Sequence, residues 1–521
     1  MNYKLLGKVL GKIMILESIL MLAPLAVSFI YAEDTKNKIA FIVPITALAL
    51  LGIILQFLKP QRKSFYQKEG FALVAIVWIV MTVFGAIPFV INREIPNYID
   101  ACFEIMSGFT TTGASIVSDI TTLSHSTLFW RSFSHWIGGM GILVFVLIFI
   151  PESNDGSSMH LLRAESPGPQ VGKLASKMKV TARILYLIYL FLTLIEVGIL
   201  MCIPLIDQGA LVEAGYVAPE GDKLFYALLT SFGSAGTGGF GFIPGSFEFF
   251  TPVSQYVVSI FLLIFGCNFA LYYLILLGKI KDVFRSEEFR TYLIMVASAI
   301  AIIFTSLATR LSTLGYSIEE AFRHSLFQVA SIITTTGYST TDFNFWPMAS
   351  QAVIIILMFT GAMAGSTAGG IKLSRVVIVF KGVYVNIRKL INPRYMPKTT
   401  FEGKSLEEKT TNDVFSFITL YFFVLLATVL ILSFDPINSQ SVTISSDFGS
   451  YTVGHGFASN FTAAMSCISN IGPGLEAVGP YGSFAGYNGL STLALTFTML
   501  IGRLEILPVI ILFTGRTWKK V

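Results

Sequence analysis

The chain has 521 residues, 54% of them hydrophobic and 13% charged, with a mean hydropathy of +0.71, far more apolar than a soluble domain. These values exclude a soluble enzyme or binding module and point to an integral membrane protein in contact with lipid. A net charge of +5 and a pI near 8.8 invite a nucleic-acid reading, but the basic residues gather in short segments between apolar runs, so no nucleic-acid partner is expected.

In chain order, the first 31 residues open with lysines and an apolar run, as a signal peptide does, but the run continues to Tyr31 without a small-residue cleavage site and reads as a retained membrane helix. Apolar runs of about 20 residues, enough to cross a bilayer, lie near 11–31, 39–58, 70–91, 127–150, 182–206, 252–278, 290–309, 349–371, 413–434 and 489–514 and predict ten crossings. Between alternate pairs sit shorter stretches around 100–116, 223–242, 318–340 and 456–475 that end in Gly, Thr and Ser and are too short to span. Lys59, Arg62, Lys63 and Lys68, then Lys279, Lys281, Arg285 and Arg290, then the segment from Lys372 to Lys404 fall on one side of this plan, and Asp207, Glu213, Glu220 and Asp222 on the other. The basic side, with both termini, is expected in the cytoplasm, and the Gly-rich segments enter from outside.

The expected fold is therefore an all-α polytopic membrane protein. Two N-terminal helices occupy 1–68, and four pseudo-repeats of helix, half-helix with a loop, and helix occupy 69–160, 161–285, 286–405 and 406–521 around a central pore. Two inverted halves would instead suggest alternating access.

Non-helical backbone at membrane depth is tolerated only where protein buries it or where it lines a watery cavity. Four such segments point to one shared cavity, and a ring of backbone carbonyls there can replace the hydration shell of a potassium ion. Glycine suits the turn because it reaches φ > 0 without steric cost. The candidate filter residues are Thr111, Thr112 and Gly113, then Ala235 and Gly236, then Thr335, Thr336 and Gly337, then Asn470, Ile471 and Gly472, with potassium as the only bound group and no covalent cofactor. The half-helices, such as Tyr98–Thr110 and Glu319–Ile332, would aim partly negative C-terminal ends at the cavity and favour a cation.

The third inner helix is interrupted by a run containing Gly361, Gly365, Gly369 and Gly370, where each glycine costs roughly 1 kcal/mol relative to Ala in a helix, so a break is expected. Arg503, inside the last apolar run, should face a cavity or partner, with snorkelling or pairing to Glu505 as the plain alternative. Lys372 could act with Arg503, although its place at a cytoplasmic helix end favours a topogenic role. Glu104 and Glu196 could relay protons, although a hydrogen-bonded structural role is favoured for Glu104. The four cysteines and five histidines show no disulfide or metal spacing. Gly236 to Gly241 fits G-x-G-x-x-G without a soluble βαβ unit around it, and Gly365 to Lys372 lacks the Gly-Lys-Ser/Thr of a P-loop.

Thr-Thr-Thr-Gly113, Gly236-Thr-Gly-Gly-Phe, Thr-Thr-Gly337-Tyr and Asn470-Ile-Gly-Pro-Gly-Leu475, with Arg131-Ser-Phe-Ser-His-Trp-Ile-Gly-Gly-Met-Gly141, together resemble the Trk-type potassium uptake proteins. That family also contains the Ktr and plant high-affinity potassium transporters. The resemblance spans the chain, and the two leading helices fit the Trk branch. It implies a potassium-selective, channel-like uptake pathway with no enzymatic activity, in which the 361–370 segment is an intramembrane gating loop and Arg503 its partner and barrier. It further implies a homodimer in a bacterial inner membrane, seated on a cytosolic nucleotide-binding, TrkA-like regulatory ring. A proton- or sodium-coupled symporter would need acidic residues near the midplane, and a polytopic membrane enzyme a cluster of His, Asp or Glu at one face; the sequence supplies few of the former and no visible instance of the latter.

Overall fold

The computed structural model describes residues 1–60, 67–141, 178–216, 222–392, 394 and 398–518. Arg62, Lys63, Glu220 and the stretch 142–150 of the fourth expected crossing lie outside them. Among the described residues the regular structure is helical apart from two short antiparallel hairpins, at 400–405 and 441–454.

The leading pair consists of Tyr3–Leu20, continued by Leu22–Ile30, packed along Thr35–Gln56. Their contact is as close as two backbones allow, since a Cβ added at Gly11 would stand 2.8 Å from the Gly52 carbonyl and one added at Gly52 the same distance from the Gly11 carbonyl. Small residues let helices approach in this way where burial of apolar surface offers little extra attraction.

Four like units follow. The outer helices are Gln67–Gly85, Met178–Cys202, Glu287–Ala308 and Glu408–Leu432; the half-helices are Tyr98–Phe109, Lys223–Gly236, Ile318–Ile333 and Phe457–Ser469; the inner helices are His125–Gly139, Pro252–Phe265, Met348–Thr360 and Gly489–Arg503. Local signals start the half-helices where they do. The Asn97 side chain caps the Ile99 amide at 3.0 Å, and Ser317 with Glu320 forms a reciprocal capping box.

Each half-helix packs on the outer helix of its own unit, and each inner helix packs on the half-helix of the next. The inner helix of the fourth unit closes the circle on the half-helix of the first. This cyclic packing gives a four-unit ring with the half-helices inside, where nearly every side chain from Ala101 to Phe109 and from Val329 to Ile333 is buried.

Beyond the break expected in the third, the inner helices depart from the expectation of continuous crossings. Six described helices are long and apolar enough to span, and a seventh span needs Pro252–Phe265 and Phe269–Leu276 joined across a 91° bend. Met348–Thr360 and Gly489–Arg503 are shorter. The described inner helices end at like places, at Gly139, Phe265, Thr360 and Arg503, and Gly141, Gly361, Glu505 and Ile506 just beyond have positive φ. Sequence reading anticipated only the third, because Leu, Ile and Phe on both sides of the other glycines keep the windowed hydropathy high.

Candidate functional site

All four half-helices end in the same turn. The residue before each loop glycine donates its amide five residues back: Thr112 to the Ser107 carbonyl at 2.8 Å, Gly238 to Gly233 at 2.9 Å, Thr336 to Ser331 at 2.8 Å and Ile471 to Ser466 at 3.0 Å. The residue before that is left-handed in every case, with φ of 55° at Thr111, 54° at Thr237, 55° at Thr335 and 56° at Asn470. This is the Schellman C-cap, but with a threonine in three of the four places where glycine or asparagine is usual. A β-branched residue in that region costs of order 1–3 kcal/mol and persists only where its surroundings over-determine it.

The surroundings do so. Gly113, Gly239, Gly337 and Gly472 follow with φ of 79°, 75°, 87° and 105°. A Cβ at Gly113 would run into the Gly238 carbonyl, one at Gly239 into the Thr336 carbonyl, one at Gly337 into the Ile471 carbonyl, and one at Gly472 would stand 2.8 Å from the Thr112 carbonyl. Each glycine thus leaves room for a carbonyl of its neighbour, and the four contacts close a ring. Above it opens a cavity of about 830 Å³, lined by the four glycines and the residues after them, including Ser115, Asp119, Glu248 and Tyr481.

The second loop is placed three residues later than sequence reading expects. Ala235 and Gly236 belong to the last turn of the half-helix, and Gly236 packs on the His135 backbone of the first inner helix. Thr237, Gly238 and Gly239 take the positions that Thr111, Thr112 and Gly113 take in the first unit.

Behind the ring, Arg131 and Glu104 form a buried ion pair, with Nη2 2.7 Å and Nε 2.8 Å from the same carboxylate oxygen and side-chain exposures of 2% and 0%. The other Glu104 oxygen accepts the Ile116 amide at 2.8 Å, while Arg131 donates to Ser115 Oγ at 3.1 Å and the Gly241 carbonyl at 3.3 Å and stacks over Phe240. One pair thereby holds the first and second loops. His135 bridges the same two units, its Nδ1 on the Gly108 carbonyl at 2.8 Å and its Nε2 accepting the Phe240 amide at 3.2 Å. Asn470 Nδ2 donates to Thr112 Oγ1 at 2.9 Å and to the Met499 carbonyl at 3.0 Å, tying the fourth loop to the first. Glu196 is fully buried and accepts from Ser234 at the back of the second half-helix.

On the opposite side of the ring from the cavity lies an irregular segment, from Gly361 to Lys372. Its Gly369 amide donates to Thr335 Oγ1 at 2.6 Å, and a Cβ at Gly369 would approach the Ser469 carbonyl to 2.5 Å. Arg503 donates to the Thr367 carbonyl of this segment at 3.0 Å and to the Gly138 and Gly139 carbonyls at 2.5 and 2.8 Å. A residue of the fourth unit therefore bridges the end of the first unit's described inner helix to the segment of the third.

Residues 38–520 match the TrkH family, described as a cation transport protein. The chain belongs to that family. It is 32% identical over 528 residues to the Trk system potassium uptake protein TrkH of Escherichia coli K12 and 31% identical over 526 residues to that of Salmonella typhimurium, covering 100% of both chains in each case. The crystal structure of the potassium transporter TrkH from Vibrio parahaemolyticus superposes with a TM-score of 0.80 at 27% identity, covering 100% of each chain. Membership makes this an all-helical, multi-pass membrane transport protein rather than an enzyme.

Two further charged side chains in this TrkH-family chain find their partners. Lys372 stands at a helix end, just before Leu373–Ile391, but is buried at 2% exposure and donates to the Ala368 carbonyl at 2.5 Å, so its ammonium serves the segment. Glu505 takes Arg375 at 2.6 Å. Arg131, His135 and Glu288, which all hold loops, were not singled out as site residues; the short motif around Arg131 and His135 carried the family resemblance, and that was their only signal.

Proposed function

We propose that the chain takes up potassium through a channel-like pathway along the axis of the four-loop ring, with selection at the ring and gating by the 361–372 segment. The closed ring of glycine against carbonyl supports the reading: Thr112, Gly238, Thr336 and Ile471 each set a carbonyl against a neighbouring unit's glycine, and a ring of such carbonyls is what replacement of a hydration shell requires. The C-terminal ends of four half-helices converge on the same place and favour a cation by their dipoles. The names of the relatives, potassium uptake and potassium transporter proteins, agree with that ion.

Potassium is held by Thr111, Thr112, Gly113, Thr237, Gly238, Gly239, Thr335, Thr336, Gly337, Asn470, Ile471 and Gly472. Gly361, Gly365, Gly369 and Gly370 allow the segment to move, and Arg503 sets a positive charge beside it. The word "system" in the relatives' names supports a multi-component assembly; we place a regulatory ring on the basic cytoplasmic face of a homodimer, in a bacterial inner membrane with both termini inside. Cyclic rather than inverted packing of the repeats weighs against a proton- or sodium-coupled alternating-access symporter.

The test is cation flux into proteoliposomes, comparing potassium, rubidium, sodium and lithium, for the native chain and for Gly113→Ser and Gly239→Ser. Potassium and rubidium should pass in preference to sodium, and both variants should relax that preference. Absence of monovalent cation flux even with the cytosolic partner present would defeat the proposal.

A further inference from the structure

The 361–372 segment is held from its far side by one acidic side chain. Glu288, in the first turn of the third outer helix and 5% exposed, accepts the Ala364 amide at 2.8 Å and the Ser374 amide at 3.1 Å on a single carboxylate oxygen. The first of these amides lies inside the irregular segment and the second in the first turn of the helix Leu373–Ile391 that follows it. A carboxylate there does for that helix what an N-cap would do, satisfying an orphan amide and meeting the positive end of the dipole. One carboxylate oxygen thus ties the segment to the start of the helix that follows it.

Glu288 is in turn set by the cytoplasmic hairpin. Glu402 Oε1 accepts the Glu288 amide at 2.9 Å and the Ser286 hydroxyl at 2.8 Å, and the Glu402 amide donates to Glu287 Oε2 at 3.3 Å. Glu287 also pairs with Lys381, whose ammonium donates to the Thr400 carbonyl at 3.0 Å. Glu402 and Gly403 form the two-residue turn of the hairpin, with φ of 48° and 71°. Such a turn prefers Asn-Gly or Asp-Gly, and a glutamate at its first position is strained. Turn chemistry does not explain the residue; its reach to the start of the outer helix does. Phe401, 3% exposed, seats the hairpin against Ile378 and Val414 of the two flanking helices.

We propose that Glu288 is the positioning residue of the intramembrane segment and that the 400–405 hairpin controls it through Glu402, so that moving the hairpin frees the segment beneath the ring. The structural link stands by itself; its meaning for transport rests on the reading of the segment as a gate.

Hydrogen–deuterium exchange on the full chain in lipid nanodiscs, read at peptides covering 361–374, tests the link, with potassium flux measured on the same variants. Glu288→Ala should raise exchange there about tenfold, as expected for loss of bonds to a charged acceptor. Glu402→Ala, which touches no residue of the segment, should still raise it about threefold, while Glu402→Gln, which keeps an accepting oxygen, should stay near the native rate. The double variant should exceed Glu288→Ala by little, because the two act in series. Unchanged exchange at 361–374 in Glu402→Ala, with the hairpin peptide itself exchanging faster, would overturn the proposal even if Glu288→Ala fails to fold. Raised exchange without raised flux would uphold the link and overturn the gate reading instead.

Discussion

The ring and the segment beneath it are both irregular backbone at the centre of one membrane protein, yet they are held in opposite ways. The ring is backbone against backbone: four Schellman turns, four glycines each filled by a neighbour's carbonyl, and the Arg131–Glu104 pair and His135 wedged behind. The segment leans more on side chains, taking bonds from Arg503 and giving them to Glu288 and Thr335, beside backbone bonds from Met363 to the Gly266 carbonyl and from Phe269 to the Gly365 carbonyl. A structure fixed by close packing has one arrangement, whereas one fixed by a few charge-assisted bonds can exchange them for others. The first arrangement suits a site that must keep its dimensions and the second an element that must leave.

The largest effect should come from breaking the support of the ring. Arg131→Leu leaves Glu104 buried without a counter-charge, which costs about 3–5 kcal/mol for a pair of this kind. Thermal unfolding in detergent should show a large fall in Tm, and the double variant Arg131→Leu with Glu104→Leu should recover much of it, since two apolar groups leave no orphan charge. Recovery of stability without recovery of potassium preference would separate the pair's fold role from its hold on Ser115 and Gly241. An unchanged Tm in the single variant would mean that the ring is less over-determined than its geometry indicates.

The segment should respond differently. Arg503→Ala removes charge-assisted bonds to Thr367, Gly138 and Gly139, together worth roughly 1.5–3 kcal/mol. Potassium flux in proteoliposomes should rise about tenfold, with the potassium-to-sodium ratio intact because no ring residue moves. A changed ratio would show that the two elements are not independent.

How much of this was legible in the sequence follows the same division. Local chemistry could be read: four Gly- and Thr-rich ends at repeating intervals, and a glycine run too dense for a helix at 361–370. Register in the second loop was harder, because Gly236, Gly238 and Gly239 all lie within four residues. The Thr-x-Gly triplet shared by Thr111 to Gly113, Thr237 to Gly239 and Thr335 to Gly337 was the signal, and the glycine at 236 obscured it. Contacts over distance could not be read. Arg131 lies 27 residues from Glu104, and Ala364 lies 76 residues from Glu288. Only the folding of each unit on itself brings such residues together, so an acidic residue at a helix start looks like ordinary dipole complementarity until its donors are placed.

The smallest effect concerns the cavity above the ring, and it sharpens the contrast because ring residues carry no titratable side chain. Glu248 lines that cavity, outside the spans, and accepts the Tyr481 hydroxyl at 3.0 Å. Burial pushes its carboxyl up to about 7, the Tyr481 bond opposing and the nearby Asp447 carboxylate adding to the shift. Below that pH the group is neutral; as external pH rises through about 7 it ionises and adds one negative charge to the mouth of the pathway. At about 5 Å, inside the Debye length, such a charge is worth about half a kcal/mol in water after screening, enough to raise the local cation concentration about twofold. Potassium flux at low external potassium should therefore increase about twofold between pH 6 and 8, and Glu248→Gln should flatten the profile at its low-pH level. Selectivity should stay constant throughout, since charge at the mouth gathers cations without choosing among them. A pH-dependent potassium-to-sodium ratio would mean that ionisation of Glu248 reaches the carbonyl ring itself.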